Sequence, residues 1–401
     1  MHSRSMQISI INFRNLLVCS YALILPFCEW FTVRMNNILL IILCALAVIE
    51  FIRAPKSFRP LIHPAFFLTA GVFLAQSIDL FHFDEIDAIG KNWLLKLPFL
   101  LFPIALFPFK PDQRIQNRIE NAFIIGCLLA CLLTFRFMFN PAYISVNLLN
   151  YSEYETFLVL QRPYFGMYLL LAICFLFKHG KKCLSLLNLL LALFFILFIW
   201  LIQAKMALFT LLILGIMECR NITRPPIQKW ISGLVISGFL MLLIILSVFY
   251  LKHYKNPNQL SGNKRFFILS VNTRIDHTTC AFEIIRSNPI LGVGKGKLAG
   301  ILDRCYEENK FEFTKYGRHY NIHNEWLEET ARHGIIGLFI YILCFIFFFR
   351  QAKNTGNQLY LQFLIIVVLL ALTETLFSRA QGVLMIAFFN TLFILPSVKR
   401  D

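Results

Sequence analysis

The sequence predicts an all-α polytopic membrane protein with about twelve transmembrane helices and one large outer loop that contains short helices. Composition is the first observation behind this prediction: 58% of the 401 residues are hydrophobic and the mean hydropathy is +0.66, whereas roughly half of the residues of a soluble domain are apolar. The second is that apolar runs recur along nearly the whole chain between short charged connectors. Each run is long enough to cross about 30 Å of hydrocarbon as a helix.

The predicted spans define three regions: 1–251 with nine spans, the loop 252–333, and 334–401 with the last three spans. The first apolar run lacks a small-residue cleavage site, so we expect a retained span and not a signal peptide. The spans lie near residues 15–33, 35–52, 61–81, 92–109, 121–139, 159–177, 184–203, 206–219, 230–251, 334–349, 358–377 and 380–396.

The net charge of +16 reflects membrane topology more than an affinity for nucleic acid. The even-numbered connectors and both termini carry most of the lysines and arginines outside the large loop, whereas the short odd-numbered connectors carry few. Because cytoplasmic loops carry the Lys/Arg excess, both termini are predicted to be cytoplasmic. The loop 252–333 then lies on the outer side, where long translocated segments are largely exempt from the charge bias.

Several charged residues lie at the outer ends of predicted spans, where positive charge is disfavoured. Arg162 begins the sixth span in "QRPYFGMY", Lys205 lies in the turn between the seventh and eighth spans, and Arg379 follows the turn between the last two. Charged residues within spans are candidates for function, although Lys and Arg at helix ends can also simply extend to the interface. The full set is Glu29, Asp79, Lys96, Arg136, Arg162, Lys205, Glu374 and Arg379.

The outer loop contains two helical patterns. The first, "TRIDHTTCAFEIIRSNP", begins at Arg274 and leads into "GVGKG", a turn whose backbone N–H groups and Lys295 could approach an anion; an ordinary turn after a helix is the alternative. Cys280 and Cys305 both fall in the loop, where an oxidising compartment would permit a disulfide. The sequence leaves that pairing open.

The second pattern, "YNIHNEWLEETARHGIIG", places His323 immediately before a short charged helix, with Asn324 as its predicted cap. Gly334 and Gly337 are one turn apart and permit close helix packing. Histidine can exchange a proton near neutral pH, although a hydrogen-bonded loop histidine is the simpler alternative. His319 and His323 are four residues apart, but they lack the glutamate of an H-E-x-x-H site and an obvious third ligand, so no metal is predicted.

These motifs together resemble the O-antigen ligase and O-antigen polymerase family. The resemblance rests on "HN", nine residues and "GIIG", on the segment from Arg274 to "GVGKG", on "RPYFGMY", and on the basic turn at Lys205. It implies a cofactor-independent glycosyltransferase at the periplasmic face of the bacterial inner membrane. Such an enzyme moves an O-antigen-like glycan from undecaprenyl diphosphate to a sugar hydroxyl of lipid A–core; the polymerase alternative joins lipid-linked repeats.

By this resemblance, His323 corresponds to the family's catalytic histidine, and Arg274 to its loop arginine. Lys205 stands where the family often has arginine, and lysine lacks the planar fork that binds phosphate in a bidentate manner. Arg379 and Arg162 are expected to support the diphosphate contact, and Asn324, Gly334 and Gly337 to support the motif. Two non-enzyme alternatives stay open: a polysaccharide transporter, which would place charges near the bilayer midplane, and an export scaffold.

Overall fold

The structure of the protein, a computed structural model, describes residues 2–28, 33–53, 64–81, 86–107, 109, 111–138, 158–178, 185–220, 274–311 and 321–395. These residues form α-helices and short 3-10 turns, with no β-strand among them. The all-α class is therefore confirmed for the described part of the chain.

Fourteen helices, numbered here in chain order, occur in the described residues. They are α1 (His2–Ile24), α2 (Val33–Arg53), α3 (Pro64–Leu74), α4 (Ile86–Lys96), α5 (Pro98–Leu106), α6 (Gln113–Met138), α7 (Arg162–Lys178), α8 (Leu186–Leu201), α9 (Lys205–Arg220), α10 (274–287), α11 (Gly294–Glu308), α12 (Glu325–Asn354), α13 (Gln358–Ala371) and α14 (Ala380–Ile394). Short 3-10 turns lie at Leu25–Phe27, Ala75–Phe81 and Leu376–Ser378.

Five helical stretches are long and apolar enough to cross a membrane, and shorter apolar helices accompany them. The five are Met35–Arg53, Pro64–Phe81, Ile86–Leu106, Gln113–Arg136 and Glu325–Asn354. The chain is thus a multi-pass helical membrane protein. The count of twelve spans stays a prediction, and its ninth span, 230–251, lies outside the described residues.

Helix α7 occupies the centre of the helical bundle and contacts α6, α8, α9, α13 and α14. All of its residues from Tyr164 to Leu176 are buried. A side chain at Gly166 would place its Cβ 2.7 Å from the Cβ of Ala207, so the absence of a side chain lets α9 approach α7 closely. This contact brings Lys205, at the start of α9, towards Arg162, at the start of α7.

The loop helices α10 and α11 form a small apolar core of their own. Cys280 of α10 and Cys305 of α11 are joined by a disulfide, with their Cα atoms 6.0 Å apart, which is the pairing that the sequence left open. Ala331 of α12 belongs to the same apolar cluster. The two loop helices are therefore packed on the beginning of α12.

Candidate active site

Helix α12 is bent at Gly334, the first glycine of the "GIIG" motif. Gly334 has φ +63° and ψ −163°, which is not helical, while residues on both sides are helical. The helix begins at Glu325, before the predicted start of the tenth span at residue 334. The segment 325–333 thus forms a short helical arm, which we call the acidic arm, that is offset from the apolar part of α12.

The turn between α10 and α11 fills this bend. The Ile335 N–H donates to Pro289 O at 2.8 Å, and the Val293 N–H donates to Ala331 O at 3.0 Å, so backbone groups at the bend gain partners from the turn. A Cβ at Gly334 would lie 2.0 Å from Ile290 O. Only a glycine fits there, because its backbone is left-handed and lies against another backbone.

Gly334→Ala is expected to displace the loop from α12 and to lower both stability and activity, because the new methyl group would overlap the Ile290 carbonyl. Gly300→Ala in α11 is the matched control, since no atom lies within 4 Å of the place that its new Cβ would take and alanine favours a helix by about 1 kcal/mol. Thermal unfolding in detergent would compare the two. Equal melting temperatures for both variants would contradict the close contact.

The acidic arm carries a buried face of ionisable side chains. They recur at helical spacing and belong to Glu325, Glu328, Glu329, Arg332 and His333, all of which are buried. Residues at such spacing share one side of a helix. The arm is therefore a buried part of the protein and not a solvated loop helix.

Glu329 is the central acceptor of this face. Its Oε1 accepts from Lys96 Nζ at 2.6 Å and from Arg332 Nη1 at 3.1 Å, and its Oε2 lies 2.8 Å from His333 Nδ1. The side chains of Lys96, Glu329 and His333 are completely buried. Buried charges are stable only when they are paired in this way. Arg332 also contacts the Glu328 carboxylate and donates to Ser378 Oγ at 3.0 Å.

Asp79 extends the network to the "GVGKG" turn. Its Oδ1 accepts from the backbone N–H of Lys295 at 3.0 Å and lies 3.2 Å from His333 Nε2, and its Oδ2 accepts from Asn92 Nδ2 at 3.1 Å. The turn thus does approach an anion, but the anion is an internal carboxylate. Repulsion by Arg332, together with burial, lowers the pKa of the Lys295 ammonium to about 8.

The turn between α13 and α14, residues 372–375, gathers side chains from three other segments of the chain. Each of its four residues contacts one of these side chains. Leu372 O accepts from Asn324 Nδ2 (3.1 Å), Thr373 O from Arg274 Nη1 (2.6 Å), the Glu374 carboxylate contacts His323, and Thr375 O accepts from the Tyr164 hydroxyl (3.0 Å). This turn is the platform on which the motif residues meet.

His323 lies against this turn and immediately precedes Asn324, the cap of α12. Its Nδ1 is 3.0 Å and 3.2 Å from the two carboxylate oxygens of Glu374. Its backbone has φ +54°, which is rare for a residue other than glycine. Its side chain is 29% exposed, against 11% for that of Glu374. The imidazole is therefore held at Nδ1 by Glu374 and is partly exposed.

The predicted cations fall into two groups. Arg162 and Arg274 are both close enough to Lys205 for their charges to act on its ammonium group, so these three form one cluster. Arg379 is the exposed residue that precedes α14 and acts on the Tyr164 hydroxyl, as Glu374 does. Its charge therefore acts near the point where Tyr164 donates to Thr375 O.

Asn324 caps α12, because its Oδ1 accepts from the Leu327 N–H at 3.1 Å. Gly337 lies against the side chain of His333, whose Cβ would be 2.3 Å from a Cβ at this glycine. Among the described residues, one group has the spacing of metal ligands, Cys280, Glu283 and Cys305. Both of its sulfurs are in the disulfide, so they are not the thiolates that bind metal.

Sequence reasoning missed three features of this site. Glu374 was noted only as a charged residue at a helix end, and its contact with His323 depends on tertiary packing. His277, whose ring stacks on that of His323, was not singled out. The buried face of the acidic arm was interpreted as a charged loop helix, although its spacing of three, four, seven and eight residues was a readable signal.

Fold and site together define a multi-pass helical membrane protein with a histidine–carboxylate pair beside clustered cations, where the loop meets the helices. Residues 167–342 match the family model described as O-antigen ligase. This match confirms the resemblance to the O-antigen ligase family that the motifs indicated. The match includes Lys205, Arg274, His323 and both glycines of α12, but not Arg162 or Arg379. No curated protein sequence matches the chain.

Proposed function

We propose that the protein is a glycosyltransferase that moves an O-antigen-like glycan from undecaprenyl diphosphate to a sugar hydroxyl of lipid A–core. The family match supports O-antigen ligase or related polymerase activity in general. The observation that carries the finer proposal is the contact of His323 with Glu374 beside the cation cluster. Such a pair is suited to general base catalysis.

His323 acts as the general base in this proposal. The Glu374 carboxylate accepts a hydrogen bond from Nδ1–H of His323, 3.0 Å away, which leaves the lone pair on Nε2. Nε2 removes the proton of the acceptor hydroxyl as its oxygen attacks the anomeric carbon of the donor. The bond between that carbon and the diphosphate oxygen breaks, and the electron pair leaves with the diphosphate. Direct attack inverts the anomeric centre.

The cation cluster stabilises the leaving group. Negative charge grows on the diphosphate as the glycosidic bond breaks, and fixed cations favour that transition state. Arg274 is held by its bond to Thr373 O, 2.6 Å away, on the same turn that holds His323. Lys205 and Arg162 complete the cluster, and Arg379, which precedes α14, supports it.

The reaction is assigned to the periplasmic face of the inner membrane. The Lys/Arg bias of the connectors supports cytoplasmic termini and an outer location for the loop. The disulfide between Cys280 and Cys305 supports the same location, because disulfides persist in oxidising compartments such as the periplasm. The carrier's polyprenyl chain would lie among the apolar helices with its diphosphate at this interface.

A reconstituted assay separates the candidate reactions. The purified protein is placed in proteoliposomes with undecaprenyl-diphosphate-linked polymer and lipid A–core. We expect glycan to appear on lipid A–core, with an inverted linkage by NMR. Longer glycan on the carrier lipid alone would establish the polymerase alternative. Export of the glycan without any new covalent bond would overturn the enzyme proposal and favour a transporter.

A further inference from the structure

His277 is a buried residue of α10 that the proposed chemistry does not use. It lies one turn after Arg274, and only 1% of it is exposed. Its ring stacks on the ring of His323, with centroids 5.3 Å apart and an angle of 21° between the planes. A buried imidazole that stacks on a second imidazole is an unusual arrangement.

The position of His277 is fixed from several sides. Its ring contacts that of Tyr306 in α11, with centroids 5.3 Å apart. Cys280, three residues further along α10, is joined to Cys305 next to Tyr306 by the disulfide. Because α10 and α11 are linked at this point, the face that His277 presents to His323 belongs to a covalently braced pair of helices.

The orientation of the His323 ring matters for the proposed chemistry. Glu374 holds one edge of the ring through Nδ1, and a tilt of the ring plane would move Nε2 away from an acceptor hydroxyl. The left-handed backbone of His323, φ +54°, is a conformation that persists only where the surroundings fix it. A flat ring stacked against His323 opposes such a tilt.

We propose that His277 is a positioning residue that fixes the plane of the His323 ring by stacking on it, while Glu374 fixes its edge. The inference rests on the role of His323 in the proposed function. His277 touches no reacting atom in this account. It keeps Nε2 directed to the accessible side, where the acceptor hydroxyl would arrive.

The charge state of His277 suits this role. Burial, with smaller contributions from His323 and Arg274, lowers the pKa of His277 to about 3. The ring is therefore neutral at physiological pH, and a neutral ring can remain stacked on His323 when that residue accepts a proton. Among the described residues, the groups that face His277 include Arg274 on its own helix, Tyr306 on α11, and His323, which Glu374 in turn contacts.

The test compares His277→Phe, which keeps a flat ring, with His277→Ala, which removes it. Ile275→Ala is the control on the same helix, because Ile275 is 59% exposed. Two quantities are measured: kcat and KM in the proteoliposome assay, and the rate at which diethylpyrocarbonate modifies His323 between about pH 5 and 8, followed by mass spectrometry. The second quantity reports on the imidazole directly and requires no glycan substrate.

We expect His277→Phe to retain kcat within about threefold and His277→Ala to lose about tenfold or more, with KM for the donor little changed, since misplacement of a catalytic group by about 1 Å can cost that much. The pH dependence of His323 modification should change in His277→Ala and stay as in the wild type in His277→Phe and Ile275→Ala.

Equal kcat for His277→Phe and His277→Ala would overturn the proposal, as would an unchanged pH dependence of His323 modification in His277→Ala. A parallel His323→Ala variant keeps the two ideas distinct. If that variant transfers glycan normally, the proposed function fails. A changed modification of His323 in His277→Ala would then still support the positioning contact by itself.

Discussion

Transfer of glycan to lipid A–core is expected to be lost in His323→Ala, with the rate reduced by about 10²–10⁴-fold, the usual contribution of a general base. The imidazole of His323 is the accessible base beside the cation cluster, held by Glu374 at 3.0 Å. The neighbouring His277 cannot replace it. With a pKa of about 3, that ring is too weak a base at neutral pH.

The measurement is a gel of surface polysaccharide from a strain that lacks the native protein and expresses the variant, with membrane levels of the protein checked. Long polymer that remains on the carrier lipid and is absent from lipid A–core would establish ligase activity that depends on His323. Single repeats on the carrier would indicate a polymerase. An unchanged profile at normal expression would contradict the catalytic role.

Glu374→Gln is the matched companion variant. Glutamine keeps the size of the side chain and one oxygen that can accept from Nδ1–H of His323, but it removes the negative charge that would stabilise the imidazolium of the proposed mechanism. The expected loss is therefore smaller than in His323→Ala, about tenfold. A loss as large as that of His323→Ala would instead indicate that Glu374 itself touches the substrate.

The helical architecture was predictable because span length and apolar composition are local properties of the chain. Helices were expected wherever an apolar run exceeded the thickness of hydrocarbon, and the described helices other than α10 and α11 of the loop overlap those runs. The bend of α12 was harder to predict from the sequence. A glycine pair permits close packing, but the left-handed φ of Gly334 is required by its contact with Ile290 O, which involves a distant segment.

The site was predictable to the extent that its residues lie in recognisable motifs. His323, Arg274 and Lys205 were singled out by their positions in the sequence, and the family resemblance supplied their expected roles. The order of the motifs gives no distances. The role of the turn 372–375 could not be predicted, because three of its four acceptors are backbone carbonyls, which leave no signal in the sequence. The acidic arm was interpreted as a charged helix of the loop, because charged side chains are usually exposed.

The second large effect is expected from Glu329→Gln, which should reduce the free energy of unfolding by about 3–5 kcal/mol, the cost of leaving a buried charge without its partner. Glu329 is shared by Lys96, Arg332 and His333. Arg332 keeps Glu328 and His333 keeps Asp79 in the variant, so Lys96 is the group left worst compensated. Unfolding by SDS in mixed micelles measures the loss.

Two further variants make this prediction specific. Glu120→Gln removes the partner of Lys178, which is 2.5 Å away but has a side chain 31% exposed; since water can solvate that ammonium, a loss of only about 0–1 kcal/mol is expected. Adding Lys96→Met to Glu329→Gln removes the Lys96 ammonium that has lost its carboxylate partner, and should restore part of the free energy of unfolding. An equal loss of unfolding free energy in Glu329→Gln and Glu120→Gln would mean that water reaches the acidic arm. The cluster would then not be a desolvated ion network that joins the loop to α4 and α12.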